Sequence, residues 1–190
     1  MCVTHPGIPY CICWAPNGRR LISGAESDGI KVWDAANGDL IESHLDGISV
    51  QALSISPDGQ YLAVGGKDRI VRLIRLSDFS IATAFSGHNG FAESLAFTPD
   101  SDWLASGDDH DELRLWSVPK KETQEERSIT AHRSWQGPED WITKVAFHPK
   151  RNIFAMAGHE GRVHVWDGRD GRLIDTYEFD SMLTAAAETS

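Results

Sequence analysis

Cysteine is nearly missing from this chain: Cys2, Cys11 and Cys13 are all it has, bunched at one end. An odd, clustered count gives no disulfide framework and suits a reducing compartment. Long apolar runs are missing too. No window reaches the roughly 18 apolar residues that a membrane-spanning helix needs. Met1 to Trp14 hold no basic segment followed by an apolar one, so no secretory signal is read there. Basic residues are in deficit, with 18 Lys and Arg against 28 Asp and Glu and a formal net charge of −10. Such a chain is a poor general ligand for nucleic acid or an anionic membrane, because both are polyanions. No stretch shows a helical period, and no G-x-S-x-G nucleophile elbow is present.

What is present is a repeat. Apolar residues make up 41% of the 190, enough for a core, and seven Trp accompany 17 Gly. Four segments superpose: Trp14-Ala15-Pro16-Asn17-Gly18 through Trp33-Asp34, Ile55-Ser56-Pro57-Asp58-Gly59 through Ile74-Arg75, Phe97-Thr98-Pro99-Asp100 through Trp116-Ser117, and Phe147-His148-Pro149-Lys150 through Trp166-Asp167. The distance from Pro to the Trp position is 17 each time, and successive prolines are 41, 42 and 50 apart. Each copy reads as short alternating strands broken by turn signals. The fourth strand is the weakest, placed at 40–43, 81–84 and 173–176, and in the third copy near Ser128-Ile129.

A period in the low forties ending in Trp-Asp resembles the WD-repeat β-propeller family. The likeness covers about His5 to Tyr177, with Gly87-His88, Thr4-His5 and Ala131-His132 as the Gly-His element. It implies an all-β fold of four four-stranded antiparallel blades, a partial or small propeller. The expected organisation is a lead-in over 1–4, repeats at about 5–44, 45–86, 87–129 and 130–177, and a disordered acidic tail over 178–190. The resemblance also implies a hydrogen-bonded set inside a blade. The first copy offers His5, Ser23, Asp28 and Trp33, and the third His88, Ser106, Asp111 and Trp116. The second copy has Val64 and Ile74 at the Ser and Trp positions, and the fourth has Met156 and Glu160. Those two are expected to rest on apolar packing and to open more easily.

Several groups invite chemical readings. Ser, His and Asp within one blade suggest a hydrolase triad, but the resemblance assigns them to internal bonding, and no enzyme is expected. Cys11 and Cys13 share one strand face; a zinc site needs about four ligands and no second pair exists, so buried thiols are expected. Asp108 to Glu112 is a run of oxygen ligands without EF-hand spacing, read as a solvated loop. No cofactor and no metal are expected.

The binding candidates lie at a rim. The position eight before each Pro is filled by Ile8, Ser49, Phe91 and Trp141, and the position before the turn Asp by Ser27, Lys67, His110 and His159. From His132 to Pro149 the chain is six residues longer than from His88 to Pro99, and the extra length carries Trp135. Exposed aromatics in such loops are common anchors; packing of Trp135 and Trp141 onto their own blade is the competing reading. Gly87 to Ile129 holds 10 acids against 4 bases, a net −6, so a basic partner surface is expected to dock there.

Four copies are too few for the seven or so blades usual in this family. Three ways of closing remain open: blades missing from a longer protein, self-association to eight, or a small ring or open arc. The functional expectation is a non-catalytic scaffold that binds other proteins, but neither nucleic acid nor membrane. A cytoplasmic address is expected, with the nucleus left open. The alternative is a sensor or substrate-recruiting segment of a larger multidomain signalling enzyme.

Overall fold

The computed structural model describes residues 5–119, 133–136, 141–159, 161–168 and 171–179. The described residues form strands without a helix. β1 (Pro9–Trp14), β2 (Arg20–Ala25), β3 (Gly29–Asp34) and β4 (Leu40–His44) make the first sheet. β5 (Val50–Ile55), β6 (Tyr61–Gly66), β7 (Val71–Arg75) and β8 (Ile81–Phe85) make the second, and β9 (Ala92–Phe97), β10 (Trp103–Asp108), β11 (Glu112–Ser117) and β12 (Arg133–Gln136) the third. β13 (Ile142–Phe147), β14 (Ile153–Gly158), β15 (Arg162–Asp167) and β16 (Leu173–Glu178) make the fourth. Every sheet is an antiparallel meander in chain order.

The turn signals work as their side chains dictate. Asn17 Oδ1 accepts from the Arg19 amide at 3.0 Å. Asp58 Oδ1 takes the Gln60 amide at 3.0 Å and the Ser56 hydroxyl at 2.6 Å. Asp100 Oδ1 takes the Asp102 amide at 3.0 Å and the Thr98 hydroxyl at 2.5 Å. Gly18 and Gly59 complete their hairpins at φ 66° and 69°, where a side chain is strained.

The core lies between sheets. Inner strand β1 packs on β5, β5 on β9 and β9 on β13, so the sheets stand as blades about one axis. Each junction joins residues abreast on three strands. Cys13, Ile22 and Val32 of blade one bury against Ile55, Leu62 and Ile74 of blade two. Ala63 and Leu73, abreast of Ser54, bury against Phe97, Leu104 and Trp116 of blade three. Ala96, Ala105 and Leu115 bury against Phe147, Phe154 and Trp166 of blade four.

The internal polar set forms in blade one as expected. His5 Nδ1 lies 2.7 Å from Asp28, His5 Nε2 lies 2.5 Å from Ser23 Oγ, and Trp33 Nε1 donates to that oxygen at 2.7 Å. Ser23 accepts from the indole and donates to Nε2, which leaves Nδ1–H for the carboxylate. Blade three repeats the set with one correction. His88 Nδ1 meets Asp108 at 3.1 Å, and Asp111 is not its partner. Asp111 is itself the left-handed residue of the hairpin, at φ 64°. Asp108 sits at the end of β10, where blade one has Ala25, and fully buried it also accepts from the Gly90, His110 and Glu112 amides. The loop read as solvated thus hides its first carboxylate.

Two boundaries also differ from expectation. The fourth strand of blade three is Arg133–Gln136, pairing Leu113 with Trp135, so this blade extends past 129. Ser128-Ile129 and His132 lie outside the described residues. Glu178, assigned to the tail, closes β16 against Arg162. The lead-in and the tail beyond 179 are also outside the described residues.

Candidate functional site: one rim of the blades

Strand register builds the rim. Pro9 pairs with Ala25, Val50 with Gly66, Ala92 with Asp108 and Ile142 with Gly158, so each first strand starts where the second ends. Backbone clasps fix these ends: Glu26 N donates to Ile8 O at 2.9 Å, Lys67 N to Ser49 O at 3.0 Å and Asp109 N to Phe91 O at 3.3 Å. Ile8, Ser49, Phe91 and Trp141 therefore stand opposite Glu26, Lys67, Asp109 and His159. His110 lies one position further into its loop than expected, exposed, with Nδ1 3.0 Å from Asp109.

Charge is interleaved along this band. The Lys67 ammonium donates to Glu26 at 2.7 Å and lies 5.5 Å from the Tyr10 ring centroid, tying blades one and two. The Glu26 hydrogen bond holds the lysine above its usual pKa, and the lysine holds Glu26 below its own. Glu93, in β9, is pushed up by burial and by Asp109, against the pull of His159 and Lys67. One carboxyl thus senses groups from blades two, three and four. Asp109 also accepts from the Phe91 amide at 2.6 Å. At the far end Trp141, 50% exposed, meets His159 edge-on at 5.4 Å between centroids.

The rim therefore gathers Ile8, Lys67, Phe91, His110, Trp141 and His159, all of them candidates from the sequence. Trp135 is not among them. It belongs to β12, with its ring 5.5 Å from Phe154, and it helps line a 230 Å³ cavity between blades three and four. Packing is the correct reading for that residue. Glu26, Tyr10, Glu93 and Asp109 escaped the sequence reading, which counted back from each turn Asp; counting from the strand ends finds Glu26 and Asp109.

Other chemical groups are taken up by the fold. The Ser-His-Asp geometry looks like a triad, but each Ser Oγ accepts from an indole, and Ser106 is fully buried. Burial pushes the Cys11 thiol up to about 12, with Cys13 adding to it, and Cys13 up to about 11, so both are poor nucleophiles. His88, Asp108 and Glu112 bring possible ligand atoms within 4.8 Å of one another. Their bonds already go to Ser106, to backbone amides and to Arg114.

Sheets of four antiparallel strands, packed face to face about an axis with the first strand innermost, define the blades of a β-propeller. Residues 2–34, 39–75, 79–117 and 127–167 match the WD domain, G-beta repeat family, and the chain belongs to that family. Among its relatives is the guanine nucleotide-binding protein subunit beta of Nicotiana tabacum, 22% identical over 91% of this chain and 60% of the relative. The small ribosomal subunit protein RACK1y of Oryza sativa subsp. japonica is 29% identical over 85% of this chain and 48% of its own length. The nuclear distribution protein PAC1 of Coccidioides posadasii (strain C735) is 24% identical over 84% and 37%. The chain thus spans about half the length of these relatives.

Proposed function

We propose that this chain is a non-catalytic scaffold that holds a partner protein on the rim defined by Ile8, Lys67, Phe91, His110, Trp141 and His159. The observation that carries the reading is Trp141, half-exposed against His159 and in line with interleaved charges. Aromatic anchors ringed by polar groups are the usual makings of a protein-binding hot spot. Two relatives are named as components of assemblies, a guanine nucleotide-binding protein subunit and a small ribosomal subunit protein, in keeping with such a role. The acid excess of blade three suits a partner with a basic face. Nucleic acid and anionic membrane fit the net charge of −10 poorly. A cytoplasmic setting suits the reduced thiols.

The test compares affinity capture by the unaltered chain, Trp141→Ala, Lys67→Glu and an opposite-rim control, Lys150→Ala. Partners lost with both rim variants and kept by the control, at unchanged melting temperature, support the reading. Partners kept by all four proteins contradict it. If the partner recruited is a catalytic domain or its substrate, the recruiting-segment reading replaces the plain scaffold.

A further inference from the structure

At the end of the blades opposite the rim, the three internal junctions are not closed alike. Between blades two and three, the Asp58 amide donates to Ser101 Oγ and the Tyr61 hydroxyl to the Pro119 carbonyl, each at 3.1 Å. Between blades three and four a groove remains, and its charged lining is mixed, with Lys150 and Arg151 beside Asp100. Between blades one and two lies a groove of 390 Å³ whose charged lining residues are both cations, Arg20 of β2 and Arg75 of β7. Pro16, Leu76 and Phe79 give it an apolar wall, and Gln60 and Ser77 add neutral polar groups. Gly59 lets the two turns meet beside it, since a Cβ there would lie 3.0 Å from Pro16 Cγ. The two guanidiniums are barely spent. Arg75 donates to Ser80 Oγ at 3.2 Å. Arg20 makes no hydrogen bond among the described residues, and its ion-pair partner Glu42 stands 3.7 Å away and also meets His44 at 3.0 Å. Asp78, three positions from Arg75, is taken by the Ser80 amide and hydroxyl at 2.9 and 2.7 Å.

We propose that this groove seats an acidic segment of a partner protein, with carboxylates on Arg20 and Arg75 and an apolar side chain against Pro16, Leu76 and Phe79. Each guanidinium carries five N–H donors in a planar fork that matches a carboxylate two bonds at a time. Two such forks on separate blades, sharing one apolar-lined groove, match two anionic groups joined by carbon, which is an acidic peptide and not a single small ion. The chain's net charge of −10 does not forbid this, because charges beyond about 8 Å are screened at physiological ionic strength and the local cations decide. The site stands apart from the rim and does not depend on the reading of the rim. Its chemistry is the reverse of the acid-rich rim, so the two ends of the blades would hold partners of opposite charge.

Selection of random peptides displayed on phage against the full chain tests this, followed by fluorescence anisotropy with the selected peptides. One selected class is expected to combine two or more Asp or Glu with an apolar residue. Arg20→Gln and Arg75→Gln are each expected to raise its dissociation constant about tenfold or more. Trp141→Ala on the rim and Arg151→Gln, at the same end of blade four, are expected to leave it unchanged. Arg75 is exposed and the Arg20 side chain is 40% exposed, so neither change disturbs the core. If dichroism shows misfolding, Arg20→Lys and Arg75→Lys replace them, since lysine keeps the charge but loses the fork, and weaker binding is again expected. The absence of an acidic class among the selected peptides overturns the proposal. So does an acidic peptide whose affinity ignores both arginine changes, or one lost equally with Arg151→Gln, which would mean diffuse charge attraction. Loss with Trp141→Ala instead would put the acidic peptide on the rim and overturn it too. Full displacement by millimolar inorganic phosphate would make the groove a small-anion site, and that also contradicts a peptide-binding role.

Discussion

Blades one and four each pack against a single neighbour among the described residues, yet they are held differently inside. In blade one, Trp33 donates to Ser23, which meets His5, which meets Asp28. In blade four, Met156 stands where Ser23 stands, and the buried Trp166 Nε1 has no partner among the described residues. Blade two has lost both members, with Val64 and Ile74 in those places, and so it buries no indole donor at all. A complete polar set and a fully apolar replacement are both sound solutions. A half-retained set leaves an orphan, at a cost of about 1–3 kcal/mol. By its indole pocket, blade four is therefore expected to open before blade one, whereas blade two avoids that cost although Gln51 Nε2 and Arg72 Nη1 are buried there without partners among the described residues.

The largest effect that would break this comparison comes from blade three. Trp116→Ala removes a fully buried indole stacked on Phe85 and should cost about 3–5 kcal/mol in denaturant unfolding. An unchanged midpoint would refute the junction packing.

Acid is the next lever. Burial would raise the Asp108 carboxyl, but the His88 hydrogen bond and the Glu112 and Gly90 amides outweigh it and hold it at about 2. Its unfolded value is about 3.9, so the carboxylate contributes stability above pH ~4 that is lost as pH falls from about 4 to 2. The contribution is about 2–3 kcal/mol. Asp108→Asn should remove that acid-sensitive part, and Asp111→Asn should leave it. A titration of stability in which the two variants behave alike would return the role to Asp111.

A smaller difference isolates the orphan. Trp116→Phe takes from the buried Ser106 Oγ its indole donor, whereas Trp166→Phe deletes a donor with no partner among the described residues. The first should cost about 1 kcal/mol more than the second. Equal costs would mean that the blade four indole is satisfied.

The smallest effect separates Trp141 of the rim from Trp135 of β12. Trp141→Ala should change stability by no more than about 1 kcal/mol, since half its surface is exposed. Trp135→Ala should lower the melting temperature clearly, because it opens the contact with Phe154. The reverse order would move the binding anchor to β12.

Blade number, strand order and the polar set of blade one were legible in the sequence because Pro-to-Trp spacing fixes the hairpins and alternation fixes the faces. The carboxylate of blade three was not. Asp108 and Asp111 sit in one acidic run, and only the backbone tells which faces His88: Asp111 takes the left-handed turn while Asp108 ends the strand. Trp135 was misplaced for a similar reason. The charged insert before it hides where the third meander ends, and β12 carries just four residues, too few for a clear period. The rim was legible in part. Ile8, Lys67, Phe91, Trp141 and His159 follow from spacing, whereas Glu93 and Tyr10 joined it only through contacts between blades.

Native-state hydrogen exchange resolved by peptide tests the central claim most directly, because blades one and four each have a single neighbour among the described residues and differ in the polar set. Amides of β2 and β3 are predicted to exchange more slowly than those of β14 and β15, by about tenfold or more for an orphan costing at least 1.4 kcal/mol. Equal protection of these two blades, or slower exchange in blade four, would contradict the account.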